Sequence, residues 1–424
     1  MYSLVIYDTS NYVDFPIGGQ LTSIRNFLTY VSQFQKEYCP KILLVGLTTN
    51  YSALGKIHKV DINGGKFDYL PVVYRDNNLK EVKNSLRIEF LRGLFKYKRI
   101  IPYGKNVIHY IHTPEAFIQI KLCHPFAKTV IFSHGSFFNM VKGFRFYKNN
   151  KLMEYCFNSF IKWMLSNSNL IFVLDNDSLN QYTKYNRHIV KVNNSIVLPD
   201  EDYTNKRIHN PVRVLFVGRL SNVKRVDEII KAIEEYKDNI SLTIVGDGEE
   251  RDYLKSLVRT NRITFKGALK PHQVKEEMID SDILVMNSYI EGKPMTILEA
   301  MSYGMPIITT DVGGISELVE FGENAVKTDG TAIQIEEAFE YILKNYASYS
   351  TKAIAASKKY DYRTVNTIIF NMVKSNAKGE KVFIIYSFDM YFIIRNTSSN
   401  YPSVQSEQDG RVLLVLFNII FFIM

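Results

Sequence analysis

The chain has 424 residues, of which 46% are hydrophobic and 22% charged, a composition typical of a globular protein with room for two domains. The net charge of +9 favours anionic partners, but no motif of a DNA- or RNA-binding module accompanies it, so we expect no nucleic-acid partner. The three cysteines form no C-x-x-C pair, which argues against a zinc site or disulfide framework and favours a reducing compartment. The first residues lack a signal-peptide pattern, so we expect a cytoplasmic protein.

The first half of the sequence alternates strand-like and helical patterns. Its first strand, Leu4 to Tyr7, leads to Gly18 and Gly19 and then to a helical pattern. Two adjacent glycines let the backbone approach a ligand and leave the helix N-terminus open to a phosphate, although a plain tight turn is an equal alternative. Further strand-like runs begin at Ile42, Asp68, Val107, Thr129 and Leu170. This alternation predicts a doubly wound parallel sheet.

Two histidines, His112 and His134, lie at the ends of predicted strands. Gly135 and Ser136 follow His134, so its ring can project over the C-terminal edge of the sheet, where open α/β sheets bind ligands. Lone histidines are more often structural than functional, and we expect this of His112.

The segment from Phe137 to Lys151 interleaves aromatic and aliphatic residues with lysines and an arginine. Such a mixture suits a membrane interface, where apolar side chains enter the headgroup boundary and cations meet anionic lipid. The alternative is an ordinary loop that packs on the core and has a solvated basic rim. The first reading predicts a docking surface for an anionic membrane.

A polar segment, Lys191 to Asn210, indicates a linker between two domains, and the strand Val212 to Val217 follows it. After this strand come Gly218, Arg219 and Lys224. An arginine can grip a diphosphate through two parallel hydrogen bonds, and a lysine adds a mobile point charge. The alternative is a pair of ordinary surface cations.

The stretch from Asp282 to Thr310 reads as strand, loop, helix and strand. Pro294 suits the first helical position and Gly304 suits the residue just past the helix end, which predicts a helix over Met295 to Tyr303. The helix N-terminus lies at the C-terminal edge of a parallel strand, a place that favours a nucleotide phosphate.

Two carboxylates, Glu291 and Glu299, frame the start of this helix. A carboxylate accepts two hydroxyl hydrogen bonds at once, so Glu299 suits a vicinal diol such as a ribose and Glu291 suits a second polyol. Alternatively, Glu291 is a solvated loop charge and Glu299 is a first-turn acid that the helix dipole favours.

Further along the chain, we expect Glu317 to cap the start of a helix.

Two motifs carry a family resemblance. The sequence E-G-x-P-x-x-x-L-E-A-M-x-x-G-x-P-x-I, from Glu291 to Ile308, resembles the E-x7-E signature of family 4 retaining glycosyltransferases. Gly218 to Lys224 is similar to that family's G-R-L-x-x-x-K motif, with Arg225 where a glycine often follows. The resemblance implies the GT-B fold, in which two Rossmann-like doubly wound parallel-sheet domains face each other.

The resemblance also implies roles for individual residues. Glu299 would hold the nucleotide ribose, Glu291 would lie by the donor sugar, and Arg219 and Lys224 would bind the donor diphosphate. The implied catalytic residues are His134, Glu291, Arg219 and Lys224. The implied donor-binding residues are Gly18, Gly19, Gly218, Arg219, Lys224, Gly267, Glu291, Gly292, Lys293, Pro294, Met295 and Glu299.

The expected domain organisation follows the same resemblance. The acceptor-side domain covers 1–195, a linker covers 196–210, the nucleotide-sugar domain covers 211–360, and a helix at 361–376 crosses back. The remaining residues, 377–424, contain two apolar runs, each shorter than the roughly 18–20 residues of a spanning helix. A membrane-surface anchor, a packed extension and a non-native read-through of the gene all stay open for this tail.

The implied activity is transfer of a hexosyl group, with retention, from a nucleotide-sugar to a lipid-linked or polysaccharide acceptor. The product would be a cell-surface glycan such as capsule, exopolysaccharide or lipopolysaccharide, made at the inner face of the membrane by a peripheral protein. No D-x-D motif stands where a metal would be needed, so neither a metal nor another cofactor is expected. Two alternatives remain: a catalytically silent GT-B subunit, and a phosphorylase or sucrose-synthase-like enzyme. Glycosidase chemistry fits poorly because it gives the phosphate-binding groups no task.

Overall fold

A computed structural model describes residues 2–13, 19–75, 85–140, 151–204, 206–236, 239–378, 382–387, 390–395 and 403–405. Two α/β domains, each built on a predominantly parallel sheet, account for most of these residues. The predicted fold class, two doubly wound parallel-sheet domains, is therefore confirmed.

The first domain contains an eight-stranded sheet with the order β3-β4-β2-β1-β5-β6-β7-β8. Its strands are β1 (Leu4–Tyr7), β2 (Ile42–Thr48), β3 (His58–Ile62), β4 (Gly65–Tyr74), β5 (Ile108–Ile111), β6 (Lys128–Ser133), β7 (Leu170–Val173) and β8 (Ile189–Lys191). Neighbouring strands are parallel except for the β3–β4 hairpin. The hairpin turns at Asn63 and Gly64, which both have positive φ, as a tight hairpin turn of the twisted sheet requires.

Helices cover both faces of this sheet. They are α1 (Gly19–Phe34), α2 (Leu86–Lys96), α3 (Glu115–Cys123), α4 (Phe137–Met140), α5 (Lys151–Ser166) and α6 (Asn176–Tyr182). Successive residues of β1 point to opposite faces, so Leu4 and Ile6 pack into one core while Val5 and Tyr7 pack into the other. Burial on both faces explains why these strands are continuous apolar runs.

The second domain contains a six-stranded, all-parallel sheet with the order β11-β10-β9-β12-β13-β14. Its strands are β9 (Val212–Val217), β10 (Ile240–Val245), β11 (Ile263–Gly267), β12 (Ile283–Met286), β13 (Ile307–Thr310) and β14 (Ala325–Thr328). Its helices are α7 (Val226–Glu235), α8 (Arg251–Ser256), α9 (Pro271–Ile279), α10 (Met295–Ser302) and α11 (Ala332–Ser357). The strand order reverses between β9 and β12, and ligands of such sheets bind at this reversal.

After α11 the chain returns to the first domain through α12 (Tyr362–Lys378). Phe370 joins the core on the α1 face of the first sheet, and Thr367 Oγ1 donates to Tyr30 OH at 3.1 Å. Three short antiparallel strands follow: β15 (Val382–Ser387), β16 (Met390–Arg395) and β17 (Ser403–Gln405). The second apolar run of the tail lies outside the described residues.

Five short 3-10 helices complete the described secondary structure: Lys36–Lys41, Tyr51–Ala53, Asn222–Lys224, Ile315–Glu317 and Lys358–Tyr360. A search of the described helices for one that is both long and apolar enough to cross a bilayer finds none.

Candidate active site

A cleft of about 800 Å³ lies between the two domains. The loops that follow β9 and β12 line its second-domain wall, which is the point where the strand order reverses. Residues at the N-terminus of α1 and after β6 line the opposite wall. The cleft therefore brings together segments that are far apart in the sequence.

The loop after β9 carries two cations into this region. Arg219 lines the cleft and forms an ion pair with Glu249 at 3.0 Å, in which both side chains are more than half exposed. Lys224 forms an ion pair with Glu291 and is only 22% exposed. The loop packs closely on the next one, because a Cβ added at Gly246 would lie 1.8 Å from the Gly218 carbonyl oxygen.

Arg225 stands where the resembled motif often has glycine, and its backbone is left-handed, with φ of +47°. A non-glycine residue needs compensation in this conformation. The Arg225 guanidinium lies 4.7 Å from the Tyr289 ring centroid, and its Nη1 donates to the Asp329 carbonyl at 2.9 Å. These contacts tie the lysine-bearing loop to the loops that follow β12 and β14.

The loop after β12 presents Glu291, whose side chain is 10% exposed. Glu291 Oε1 accepts a hydrogen bond from Ser288 Oγ at 2.6 Å in addition to its ion pair with Lys224. The loop after β13 supports it: the Gly314 N–H donates to the Gly292 carbonyl at 2.8 Å. A Cβ at Gly313, where φ is +59°, would lie 1.8 Å from the Glu291 carbonyl oxygen, so only glycine fits there.

Helix α10 begins at Met295 as predicted, but two expectations about it and one alternative are wrong. Pro294 precedes the helix as its N-cap residue, with an extended ψ of 124°, because proline fixes φ but leaves ψ free to continue the loop. Glu299 is the fifth residue of the helix and not a first-turn acid. The helix ends at Ser302 instead of Tyr303, and Gly304 follows with a positive φ of 70°. The helix therefore directs Glu299 into the cleft from its second turn.

Burial raises the pKa of Glu299 to about 7. Its side chain lines the cleft beside Tyr303, whose own pKa burial also raises. At neutral pH the carboxyl is therefore close to half protonated, and hydroxyl donors from a ligand would favour its ionised form.

The first-domain wall contains a pair of histidines. His134 lines the cleft, and its Nε2 lies 2.9 Å from Nδ1 of the buried His112. Burial lowers the pKa of His134 to about 3. Burial also lowers the pKa of His112, and repulsion from a protonated His134 would lower it further. Both rings are therefore neutral, and His112 is in direct contact with the candidate site residue.

An ion cluster joins the two domains at the edge of this site. Glu317 pairs with Lys191 of the first domain at 2.7 Å and with the buried Lys293 of the second at 2.9 Å. Burial alone would raise the pKa of Glu317, but these two lysines and the Asn176 N–H outweigh it and lower the pKa to about 2. Glu317 caps a helix start, as expected, but the helix lies in the other domain: Glu317 Oε1 accepts from the N–H of Asn176, the first residue of α6, at 3.1 Å, while Glu317 itself ends a short 3-10 helix.

Most of the predicted site residues line this one cleft: Gly19, His134, Gly218, Arg219, Glu291, Gly292, Lys293, Pro294, Met295 and Glu299. Lys224 reaches it through its ion pair with Glu291. Gly267 does not line the cleft, although Ala268 and Leu269 directly after it do. Gly18 and positions 141–150 of the predicted membrane segment lie outside the described residues.

Gln20 and Asn194 also line the cleft, and neither was predicted as a site residue. Asn194 Nδ2 donates across the interface to the Lys293 carbonyl at 2.9 Å. Gln20 directly follows the predicted glycine pair, which is the signal that would have found it. Within the described part of the chain, no group of three or more histidine, cysteine, aspartate or glutamate side chains is arranged to hold a metal ion.

The chain is similar in sequence and in fold to known glycosyltransferases. Residues 200–360 match the family model "Glycosyl transferases group 1". HepE of Anabaena, solved in complex with UDP-glucose, superposes with a TM-score of 0.61 at 18% identity over 88% of this chain and 99% of that one. The fold is therefore GT-B.

Two curated relatives each match about a third of this chain or less. The O-antigen biosynthesis glycosyltransferase WbnH of Escherichia coli is 35% identical over 149 residues, which is 35% of this chain and 42% of WbnH. TuaC of Bacillus subtilis, named for teichuronic acid biosynthesis, is 36% identical over 110 residues, or 26% of this chain and 27% of TuaC. The chain thus matches less than half of the length of each relative.

Proposed function

We propose that this protein is a retaining, family 4 glycosyltransferase that transfers a hexosyl group from a nucleoside-diphosphate sugar to a glycan or lipid-linked acceptor. The observation that carries the proposal is that Arg219, Glu291 and Glu299 line one cleft at the strand-order reversal of the second sheet, with Lys224 paired to Glu291. The match of the second domain to the group 1 family model supports it. HepE, which binds UDP-glucose, makes UDP-sugars the first donors to test.

The two cations would bind the donor diphosphate. The ion pair of Arg219 with Glu249 is solvent-exposed, and such pairs contribute only about 0–1 kcal/mol, so Arg219 can turn to a phosphate at little cost. Lys224 already lies beside Glu291, so a phosphate bound there would share the lysine with that carboxylate. The N–H groups at the start of α10 supply further donors.

Glu299 and Glu291 would bind the two polyols of the donor. An ionised Glu299 accepts hydrogen bonds from both ribose hydroxyls, and Glu291 accepts from the sugar. Pairing with Lys224 and the hydrogen bond from Ser288 hold Glu291 in place before the donor arrives.

In the reaction, the bond between sugar C1 and the diphosphate oxygen breaks, and its electron pair leaves with that oxygen. Arg219 and Lys224 stabilise the charge that develops there, without a metal ion. The acceptor hydroxyl forms the new bond to C1 on the face of the sugar from which the diphosphate leaves. Its proton passes to the departing phosphate, which is the nearest base on that face. The products are the glycosylated acceptor and the free nucleotide.

The acceptor belongs to cell-surface glycan biosynthesis in this proposal, at the cytoplasmic face of the membrane. The names of WbnH and TuaC support this class of product, which includes capsule, exopolysaccharide and lipopolysaccharide.

A peripheral membrane contact is part of this proposal. On α5, Leu152 and Tyr155 are 71% and 70% exposed next to Lys151, which suits such a contact. Changing Lys142, Arg145 and Lys148 together to glutamate should reduce co-sedimentation with anionic vesicles, and unchanged binding would contradict the membrane contact.

The activity is tested by incubating the purified chain with UDP-, GDP-, ADP- and CMP-sugars, with and without EDTA, and following nucleotide release. We expect slow donor hydrolysis with one nucleotide class, unaffected by EDTA, and a product sugar of the donor's anomeric configuration. Binding of a nucleotide-sugar without any release, also with glycan acceptors present, would favour the silent-subunit alternative. Release that requires phosphate or a soluble sugar would favour the phosphorylase or sucrose-synthase-like alternative.

A further inference from the structure

The first-domain wall of the cleft has a second layer of polar side chains behind it. His134 is backed by His112, and Gln20 is backed by Asp8. His112 is 5% exposed and Asp8 is fully buried, so neither reaches the cleft itself. Because Gln20 Nε2 also donates to the His112 carbonyl at 3.3 Å, the two pairs are neighbours.

The contacts of His112 decide which nitrogen carries its proton. His112 Nε2 is buried and has no hydrogen-bond partner, whereas Nδ1 lies 2.9 Å from His134 Nε2. A proton on Nε2 would leave a buried N–H donor unpaired, which is more costly than an unpaired lone pair. The neutral His112 therefore donates from Nδ1, and His134 Nε2 accepts.

This assignment fixes His134 in turn. A neutral imidazole has one proton, and with Nε2 accepting from His112 the proton must be on Nδ1. His134 lines the cleft, so its Nδ1–H is the group left to meet a ligand. The ring of His112 stacks on Phe132, with centroids 5.3 Å apart, which holds the donor in position.

The amide of Gln20 is oriented by the same logic. Its Nε2 donates to a carboxylate oxygen of Asp8 and to the His112 carbonyl, and a carbonyl can only accept. Asp8 is held by a further hydrogen bond from Thr113 Oγ1 at 3.1 Å. The Gln20 oxygen, an acceptor, is therefore left on the cleft side of the amide.

We propose that His112 and Asp8 are positioning residues that fix His134 as a hydrogen-bond donor and Gln20 as an acceptor, so that together they recognise one hydroxyl group of the bound sugar. A hydroxyl both donates and accepts, which matches this pair. The recognition of a sugar hydroxyl rests on the proposed function, whereas the proton positions do not.

The first test is nitrogen NMR of the full chain labelled with ¹⁵N-histidine, which contains eight histidines. The spectrum of His134→Asn identifies the His134 signals. We expect a protonated Nδ1 and an unprotonated Nε2 on His134 in the unmodified chain. A protonated Nε2 on His134 would overturn the proposal, whether or not the protein binds a nucleotide.

The second test compares the affinities of UDP and UDP-glucose in His112→Leu and His112→Asn. Leucine removes the donor to His134, so we expect UDP-glucose affinity to fall about tenfold while UDP affinity stays unchanged. Asparagine carries an N–H close to the position of Nδ1 and should restore most of the loss. Equal effects on UDP and UDP-glucose, or no difference between leucine and asparagine, would mean that His112 is merely structural.

The variant Gln20→Met tests the acceptor with a side chain of similar length. We again expect a selective loss of UDP-glucose affinity, and an equal loss for UDP would overturn the role of Gln20. Should none of the nucleotides bind to the folded chain, the proposed function and the hydroxyl assignment fall together, and the His134 tautomer alone decides the role of His112.

Discussion

The two walls of the cleft are built on opposite electrostatic principles. The second-domain wall carries charge: Lys224 pairs with Glu291, and Arg219 with Glu249, in contacts that are partly or largely open to solvent. The first-domain wall presents His134, which burial keeps neutral, and a buried second layer fixes its orientation. One wall can exchange an ion pair for a phosphate, whereas the other presents a preformed hydrogen bond to a neutral group.

The largest effect should come from removing the paired lysine of the charged wall. We expect Lys224→Ala to lower the rate of nucleotide release about 100-fold or more, because it removes a charge that stabilises the departing phosphate and leaves Glu291 unpaired. Steady-state kinetics with the best donor measures this. Lys231→Ala, at an exposed lysine that pairs with Glu228, is the matched control and should retain full activity. Equal losses in both variants would contradict a specific role of Lys224.

The loop that supports Glu291 should tolerate no side chain at Gly313. Gly313→Ala and Gly322→Ala both place a Cβ on a residue with positive φ, which costs about 1 kcal/mol each. At Gly313 the Cβ also meets the Glu291 carbonyl, whereas nothing lies within 4 Å at Gly322. We expect Gly313→Ala to be less stable than Gly322→Ala by about 2 kcal/mol, in the range of overpacking. Equal denaturation midpoints would show that the loops can move apart freely.

The ion cluster of Glu317 with Lys191 and Lys293 should contribute less to the free energy of unfolding. We expect Glu317→Gln to lower the free energy of unfolding by about 1–2 kcal/mol at pH 7, because it leaves the buried Lys293 without its partner. Glu340→Gln, which disrupts an exposed pair with Lys344, should change it little.

This contribution should depend on pH in a defined direction. The folded-state pKa of Glu317, about 2, lies below the ordinary value of 4.5, so the stabilisation is complete above about pH 5 and declines as the pH falls towards 2. The difference in free energy of unfolding between the unmodified protein and Glu317→Gln, measured by urea denaturation, should therefore shrink between pH 5 and pH 3. A difference that stays constant over this range would contradict the ion pairing.

The smallest effect concerns Glu299, the proposed ribose-binding residue of the charged wall, and the pH dependence of UDP affinity. Because burial raises the pKa of Glu299 to about 7 and ribose hydroxyls need the ionised form, UDP affinity should rise about tenfold between pH 6 and pH 8. Glu299→Gln should bind UDP more weakly and lose this dependence. Calorimetry over the same pH range measures it, and an unchanged pH dependence in the variant would rule out Glu299 as its source.

The charged wall could be predicted from the sequence because its residues stand in two short motifs. Gly218 to Lys224 and Glu291 to Glu299 each follow one apolar strand, and parallel strands bring both to the same sheet edge. Helix α10 starts at Met295 as predicted, but Pro294 is its N-cap residue and not its first helical residue, because proline at either position leaves the same signal in the sequence.

The neutral wall could not be predicted in the same way. The contacts of His112 with His134 and of Gln20 with Asp8 depend on the pairing of β1, β5 and β6, and no local pattern marks them. The same holds for Glu317, whose partner Lys191 lies in the other domain. The β3–β4 hairpin is different, because Asn63-Gly64 is a sequence signal for a tight hairpin turn and the prediction missed it.

The central claim is that this cleft holds a nucleoside diphosphate through Lys224. The most direct measurement is calorimetric titration of the full chain with UDP in the presence of EDTA, with Lys224→Ala and Lys231→Ala in parallel. The account predicts binding to the unmodified chain and to Lys231→Ala, and its loss in Lys224→Ala. Equal binding by all three chains, or no binding of UDP, GDP, ADP or CMP by the folded protein, would contradict it.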